Sequence, residues 1–303
     1  MSHATQKIVP NIWFNHDAEE AGAFYADALP WTTSEITYRY PAEAPDRQQD
    51  LVGTPLTIDV TIDGYILTLI NGGPAFRPTP ALSFMLGFDA RKFDDDSDAM
   101  HAQFDKTWAK LAEGGRILMD VGEYPFSPRY GWVEDRYGVS WQLLVVGAES
   151  QSGPFVVPEL MFSGAVQNRA REAAEFYASV FSDSKVGFLA EYPEQTGPAT
   201  PGSVMFGEVK LSGGWLAIMD SAVEQDEPFT PAVSLEVSCA DQAEIDRLWD
   251  ALSAVPEAEQ CGWLVDKFGV SWQIVPENMG DLLQREGAYA AMMPMKKIII
   301  ADL

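Results

Sequence analysis

The stretch Tyr137-Gly-Val-Ser-Trp-Gln-Leu returns as Phe268-Gly-Val-Ser-Trp-Gln-Ile, with five of seven positions identical. Each copy follows a Gly-Trp pair (Gly131-Trp132, Gly262-Trp263) and an acidic-basic turn (Asp135-Arg136, Asp266-Lys267). Such an element is duplicated, so any fold proposed for the first half must also serve the second. Its chemistry reads as a hairpin: a strand, an Asp-x-aromatic-Gly turn and a strand of alternating residues. Trp141 and Leu143, like Trp272 and Ile274, share one face of that second strand. Ser140 and Gln142, like Ser271 and Gln273, share the other. A Gln recurring on a face otherwise made for burial points to a lined cavity; an exposed sheet face is the alternative.

The same order of elements runs through both halves. Ile8 to Asn15 alternates as a strand. Asp17 is placed to cap a helix carrying Ala21, Phe24, Tyr25 and Ala28 at helical spacing, which Pro30 stops. Ser34–Tyr40 reads as a strand, 41–50 as a loop, and Thr57–Ile62 with Tyr65–Ile70 as a hairpin about Asp63-Gly64. The pattern restarts with a strand at Ala81–Phe88 and a helix carrying Phe104, Trp108 and Leu111. Asp94-Asp95-Asp96 suits a solvated helix start; a Ca²⁺ loop would also need the Gly and terminal Glu that are missing here. In the second half Val157 to Phe162 answers Val9 to Phe14, and Phe176-Tyr177 answers Phe24-Tyr25. Thr230-Pro-Ala answers Thr79-Pro-Ala, and Ile245, Leu248, Trp249 and Leu252 answer the third helix. Trp108 and Trp132 are 24 positions apart but Trp249 and Trp263 only 14, so the second half has lost a short strand or hairpin there. Ser150–Pro154 reads as a linker, giving units of 1–150 and 155–303, each a strand-helix-strands pattern twice over.

Composition narrows the function. At 303 residues, with 47% hydrophobic content, the chain can bury substantial cores in two domains or one large one. A formal charge of −25 argues against a nucleic-acid partner, which requires clustered Lys and Arg. No apolar run is long enough to span a bilayer, and Met1 to Asn11 has no signal-peptide core. Two cysteines, Cys239 and Cys261, form neither a CxxC nor a disulfide framework; both read as small buried hydrophobes in a reduced, cytoplasmic protein.

The repeat, the Phe-Tyr helix and the ending Tyr130-Gly-Trp-Val to Asp135-Arg-Tyr-Gly-Val-Ser-Trp-Gln-Leu resemble the PhnB-like branch of the vicinal oxygen chelate (glyoxalase/bleomycin-resistance/extradiol dioxygenase) superfamily. Members of that branch are often labelled 3-demethylubiquinone-9 3-methyltransferase-like. The resemblance covers nearly the whole chain, one family domain per half. It implies an α+β fold: tandem glyoxalase-like domains whose four βαβββ-type modules form cupped mixed sheets with helices outside. It further implies a covalent pseudo-dimer in one chain, with a homodimer of the chain as a further option. The methyltransferase label finds no support in the residues, because no Gly-rich strand-to-helix turn precedes a ribose-binding acid.

Metal enzymes of the superfamily carry His or Glu on the first strand and on later ones. The corresponding positions here are Val9 and Val157, then Ala81 and Ala232, with Gln142 and Gln273 where those enzymes have Glu. One neutral amide per site cannot hold a divalent cation, so neither metal nor other cofactor is expected. His3, His16 and His101 read as surface residues.

With Phe14, Phe162, Leu82 and Val233 facing the helices, alternation sets the inward residues of each half. The first half presents Asn11, Trp13, Ser83, Met85 and Gln142, beside Val9, Ala81 and Ser140. The second presents Glu159, Met161, Ser234, Glu236 and Gln273, beside Val157, Ala232 and Ser271. If each half forms one cup, the first suits a neutral, largely apolar ligand. The second then holds two carboxylates able to serve as general acid and base; the alternative puts them at the cup's mouth or in the seam. Arg129 and Tyr130 either close the first cup or belong to an ordinary hairpin. Three functions follow: a metal-independent small-molecule-binding protein, an isomerase-, lyase- or dioxygenase-like enzyme on a small polar substrate, or an interaction protein with vestigial cups.

Overall fold

The computed structural model describes residues 6–147 and 149–303, so His3 lies outside the described residues. The first module is β1 (Ile8–Phe14), α1 (Ala18–Ala28), β2 (Thr32–Arg39), β3 (Pro55–Ile62) and β4 (Tyr65–Asn71). The second is β5 (Leu82–Phe88), α2 (Ser97–Ala112), β6 (Arg116–Tyr124), β7 (Ser127–Glu134) and β8 (Ser140–Val145). The third is β9 (Val156–Phe162), α3 (Ala170–Val180), β10 (Lys185–Glu191), β11 (Val204–Leu211) and β12 (Gly214–Asp220). The fourth is β13 (Val233–Cys239), α4 (Gln242–Leu252), β14 (Trp263–Val265) and β15 (Ser271–Pro276), one strand short as the tryptophan spacing predicts. Two short helices follow, α5 (Met279–Leu282) and α6 (Ala288–Met292), within a C-terminal strap running from 277 to 303.

The modules pair across the halves. Sheet A has seven strands in the order β14-β15-β13-β1-β4-β3-β2, and sheet B eight in the order β10-β11-β12-β9-β5-β8-β7-β6. Sheet A thus joins the first and fourth modules through antiparallel β1 and β13, while sheet B joins the second and third through β5 and β9. This corrects the expectation of one cup per half: each cup takes a module from each half. The linkers between modules meet reciprocally, Thr79 Oγ1 donating to Pro228 O (2.8 Å) and Thr230 Oγ1 to Arg77 O (3.0 Å). The chain is therefore a pseudo-dimer built from repeated α+β units, each sheet mixed in direction.

The recurrent motif proves to be a lock. The Asp135 carboxylate accepts from Tyr25 OH (2.8 Å), Trp141 Nε1 (2.9 Å) and the Tyr137 and Val139 backbone N–H groups (2.8 and 3.1 Å). Asp266 repeats this with Tyr177 OH (2.7 Å), Trp272 Nε1 (2.9 Å), and the Phe268 and Val270 N–H groups (2.8 and 3.0 Å). Tyr25 rides on α1 of sheet A and Asp135 turns between strands of sheet B; Tyr177 and Asp266 reverse the arrangement. Hydrogen bonds within each half thus tie one sheet to the other. Trp141 and Trp272 are fully buried on the helix side, as alternation predicts.

Helix starts differ from the sequence reading at one point. The Asp17 side chain does not cap α1; the Ala18 N–H donates to Asn71 Oδ1 (3.0 Å) at the end of β4. Asp220 does the same for Ala170 of α3 (3.1 Å). Asp96 does cap α2, accepting from the Ala99 N–H at 2.9 Å. No helix among the described residues is long and apolar enough to cross a membrane.

Candidate functional site: two concave faces

Register places the concave residues in rows that can be read strand by strand. In cup A, formed by sheet A, one row runs Asp59, Thr68, Asn11, Ser234, Ser271 over β3, β4, β1, β13 and β15. The next runs Val9, Glu236, Gln273, Trp263. In cup B the equivalent rows are Ala217, Glu159, Ser83, Ser140 and Val157, Met85, Gln142, Trp132. Glu159 and Glu236 therefore belong to different cups. The expected acid–base pair is not brought together, and the division into one neutral and one acidic half is corrected to one glutamate per cup, Glu159 buried and Glu236 half-buried, with Gln142 in cup B and with Asn11 and Gln273 in cup A.

Cup B is organised around Gln142. Its Nε2 donates to Ser83 Oγ (2.8 Å) and to the Glu159 carboxylate, while its Oε1 accepts from Tyr130 OH (2.7 Å). Both of the amide's ends are thereby fixed. Glu159, 1% exposed, has its carboxyl pushed up to about 7 by burial, with the Gln142 hydrogen bond pulling the other way. Tyr130 lines the cup, whereas Arg129 on the opposite face pairs with Asp105 and stacks over Phe104 at 4.7 Å. Met161 takes a contact from Gln225 Nε2 at 3.2 Å.

Cup A keeps the motif with different chemistry. Gln273 Nε2 donates to Ser234 Oγ (3.0 Å), as Gln142 does to Ser83. Tyr130 is replaced by Cys261, whose thiol turns toward the Met292 and Met293 carbonyls of the strap (3.7 and 3.3 Å). Cys239 is fully buried as expected, but Cys261 is half-buried and serves as a contact to the strap. Burial and the Asp59 carboxylate push Glu236 up to about 7, and a hydrogen bond from Asn11 opposes them. Thr68 Oγ1 donates to Asp59 at 2.8 Å. Trp13 Nε1 donates to Gly73 O (2.7 Å), and its ring lies over Gly72, where a Cβ would stand 2.1 Å from ring carbons. Gly72→Ala is accordingly expected to turn the Trp13 indole, read as a changed near-ultraviolet dichroism with the fold retained.

The strap was invisible to the sequence reading. Its Met295 and Lys296 carbonyls accept from the Cys261 and Gly262 N–H groups (2.7 Å each), at the edge where the fourth module lacks a strand. Its middle reaches the first module: Tyr38 OH donates to Leu283 O (2.9 Å), and Tyr289 OH to Gln48 Oε1 (3.1 Å). Tyr38 lies opposite Thr57 on the concave side of β2, so the strap crosses the mouth of cup A. A hollow of about 710 Å³ lies between β2 and the strap, lined by Tyr38, Tyr40 and Arg285 among others. It sits beside the cup, not on its polar floor.

The metal of the vicinal oxygen chelate enzymes does not fit these donors. Val9 and Val157 hold the first-strand positions, and no group of three His, Cys, Asp or Glu converges among the described residues. His16 is exposed, beside Gly73, and His101 is half-buried on α2 beside Arg129.

Comparison with known proteins agrees with this architecture. The family described as 3-demethylubiquinone-9 3-methyltransferase matches residues 6–144 and again 154–275. A putative 3-demethylubiquinone-9 3-methyltransferase, PhnB protein, from Bacillus cereus is 32% identical, covering 46% of this chain and 100% of its own (TM-score 0.38). Glyoxalase I from Zea mays shares the fold over 91% of this chain and 95% of its own, at 11% identity and a TM-score of 0.51. None of the curated proteins matches the chain. Two family matches covering most of the sequence, on duplicated modules closed into cupped sheets, place the chain in the 3-demethylubiquinone-9 3-methyltransferase (PhnB) family, with the glyoxalase-like vicinal oxygen chelate fold.

Proposed function

We propose that this chain is a metal-independent small-molecule-binding protein of the glyoxalase/bleomycin-resistance type, with a ligand site on each concave face. The observation that carries the reading is the Gln–Ser pair beside a glutamate in each cup: Gln142, Ser83 and the buried Glu159, then Gln273, Ser234 and the half-buried Glu236. Convergent, pre-oriented polar groups on a concave face are what fix a ligand's orientation in its site. In this reading the repeats 1–150 and 155–303 are the duplicated units, while the ligand-holding unit is the sheet. Neither Cys239 nor Cys261 is in a disulfide, which suits a reduced, cytoplasmic compartment. The methyl transfer in the family's description is not adopted, because the residues supply no nucleoside-binding turn.

The test is native mass spectrometry of the protein purified with and without a chelator. A small-molecule adduct that survives chelation and is lost in Gln142→Leu or Gln273→Leu is the expected result. An adduct that appears only with about one metal ion per cup would overturn the reading.

A second reading has its own support. A carboxyl held near 7 exchanges protons readily at neutral pH, so Glu159 or Glu236 is suited to act as a general acid or base on a small polar substrate. Each would act alone in its cup. A turnover that is abolished in Glu159→Gln or Glu236→Gln, with ligand affinity kept, would decide for the enzyme.

A further inference from the structure

The floors of the two cups carry the same serine, glutamine and tryptophan in different states. In cup B they are satisfied by protein: Trp132 Nε1 donates to Ser140 Oγ, and Tyr130 OH donates to Gln142 Oε1, each at 2.7 Å. In cup A both bonds are missing among the described residues. Ser271, the counterpart of Ser140, is 1% exposed, and its hydroxyl has no partner. Trp263, the counterpart of Trp132, instead meets Trp13 edge-on, centroids 6.1 Å apart at 80°, and its indole N–H makes no hydrogen bond to a described residue. Gln273 keeps its bond to Ser234 through Nε2. With Cys261 in the place of Tyr130 and turned toward the strap, no described residue donates to Gln273 Oε1.

A buried polar group without a partner is destabilising, so the bonds missing here belong to something that enters the cup. Ser271 and Gln273 stand two residues apart on one face of β15, about 7 Å along the strand. Trp263 lies beside Gln273 on β14. A hydroxyl, a donor and an acceptor are thus left over on one stretch of floor. A single ligand hydroxyl cannot serve groups so far apart, and a carboxylate, which only accepts, leaves Gln273 Oε1 unanswered. A carboxamide serves both ends: its oxygen and nitrogen, about 2 Å apart, with a hydrogen bond of about 2.9 Å on either side, span such a gap. Above this floor Trp263 and Trp13 meet across the two strands between β14 and β1, and Phe76 adds an edge contact to Trp13 at 5.2 Å and 77°. Aromatic walls of this kind suit a flat ring.

Resting on the reading of the cups as ligand sites, we propose that cup A takes a neutral aromatic carboxamide. Its carbonyl oxygen accepts from Ser271 Oγ and Trp263 Nε1, its N–H donates to Gln273 Oε1, and Trp13, Trp263 and Phe76 cover the ring. Cup B has its serine and glutamine already paired, and Met161 stands where cup A has Trp13, so it lacks this combination.

The test titrates benzamide, acetophenone and cyclohexanecarboxamide into the full chain by calorimetry. Acetophenone keeps the ring and the carbonyl but has no N–H, and cyclohexanecarboxamide keeps the amide but not the flat ring. Benzamide is expected to bind about tenfold more tightly than either. Ser271→Ala, and Trp263→Phe, which keeps a ring and removes the N–H, should each weaken benzamide about tenfold. Gln273→Leu should remove its advantage over acetophenone, while Glu175→Gln on the exposed face of α3 changes nothing. Thermal unfolding shows whether each variant is folded; Ser271→Ala deletes a hydroxyl without a partner and should unfold no earlier than wild type. Equal binding of the three probes, or benzamide binding unchanged in both Ser271→Ala and Trp263→Phe, overturns the carboxamide class while leaving a ligand site in place. Binding of none overturns the carboxamide proposal, and the ligand-site reading falls with it only if mass spectrometry also finds no adduct.

Discussion

Asp266→Ala is expected to lower stability by about 3–5 kcal/mol, the range for removing one partner from a buried charged network. Four donors lose their acceptor at once, the Tyr177 hydroxyl, the Trp272 indole and two backbone N–H groups, all in the interior. Each orphaned buried donor costs about 1–3 kcal/mol, and local relaxation keeps the total below their sum. In thermal unfolding the loss should appear as a midpoint lower by about 10 °C. Asp266→Asn should fall between, since the amide oxygen still serves the backbone while its NH₂ group faces the Trp272 N–H. Asp135→Ala should behave alike, because its four contacts are equivalent. A loss below about 1 kcal/mol would show that the locks are not what joins the two sheets.

Glu159→Gln is expected to stabilise the protein at pH 8 by about 3 kcal/mol. Burial holds a carboxyl that would ionise at 4.5 up to about 7, and each tenfold displacement is worth about 1.4 kcal/mol against the ionised form. The folded pKa lies above the unfolded one, so the native state binds the extra proton between them. The stabilisation of the acid form is complete below about 4.5 and is lost as pH rises through about 7. Wild type should thus gain stability as pH falls from 8 to 5. Glu236, raised to about 7, and Asp135, raised to about 6, contribute in the same direction. In Glu159→Gln the slope flattens, and the two proteins converge near pH 5. A gain that is equally large at pH 5, or absent at pH 8, would show that burial does not disfavour the charge. A group kept at this expense in the folded state, where an uncharged isostere would be more stable, is typical of a functional residue.

The fold was legible because duplication writes each instruction twice. The Gly-Val-Ser-Trp-Gln repeats, the Phe-Tyr helices and the two Thr-Pro-Ala turns align modules without any long-range information. Alternation then assigned Asn11, Ser83, Glu159, Ser234 and Glu236 to concave faces, because period two is a local property of the strand. What alternation cannot say is which strand lies alongside. Pairing β1 with β13 places Glu236 opposite Val9, and pairing β5 with β9 places Glu159 opposite Ser83, so the two acids separate. The locks were half visible: Tyr25 with Asp135 and Tyr177 with Asp266 recur at matched positions, yet an acid in an Asp-x-aromatic-Gly turn looks like ordinary turn chemistry. Recurrence of both partners was the available signal. The strap carried none, being unique to one end of a duplicated chain.

The cross-half pairing also dictates when each cup can exist. Synthesis delivers the N-terminal residues first, and contacts between distant residues form slowest. Sheet B joins Leu82 to Leu160 and its last strand ends at Asp220, so it can close before the fourth module is made. Sheet A joins Ile8 to Val237, so β1 must wait for the fourth module, one of its edges bare in the meantime. Bare edges recruit wrong partners. β1 is thus made before β5 and β9 and completed after them. A nascent chain halted before residue 233 should hold cup B already formed, and the N-terminal module as its point of misassembly.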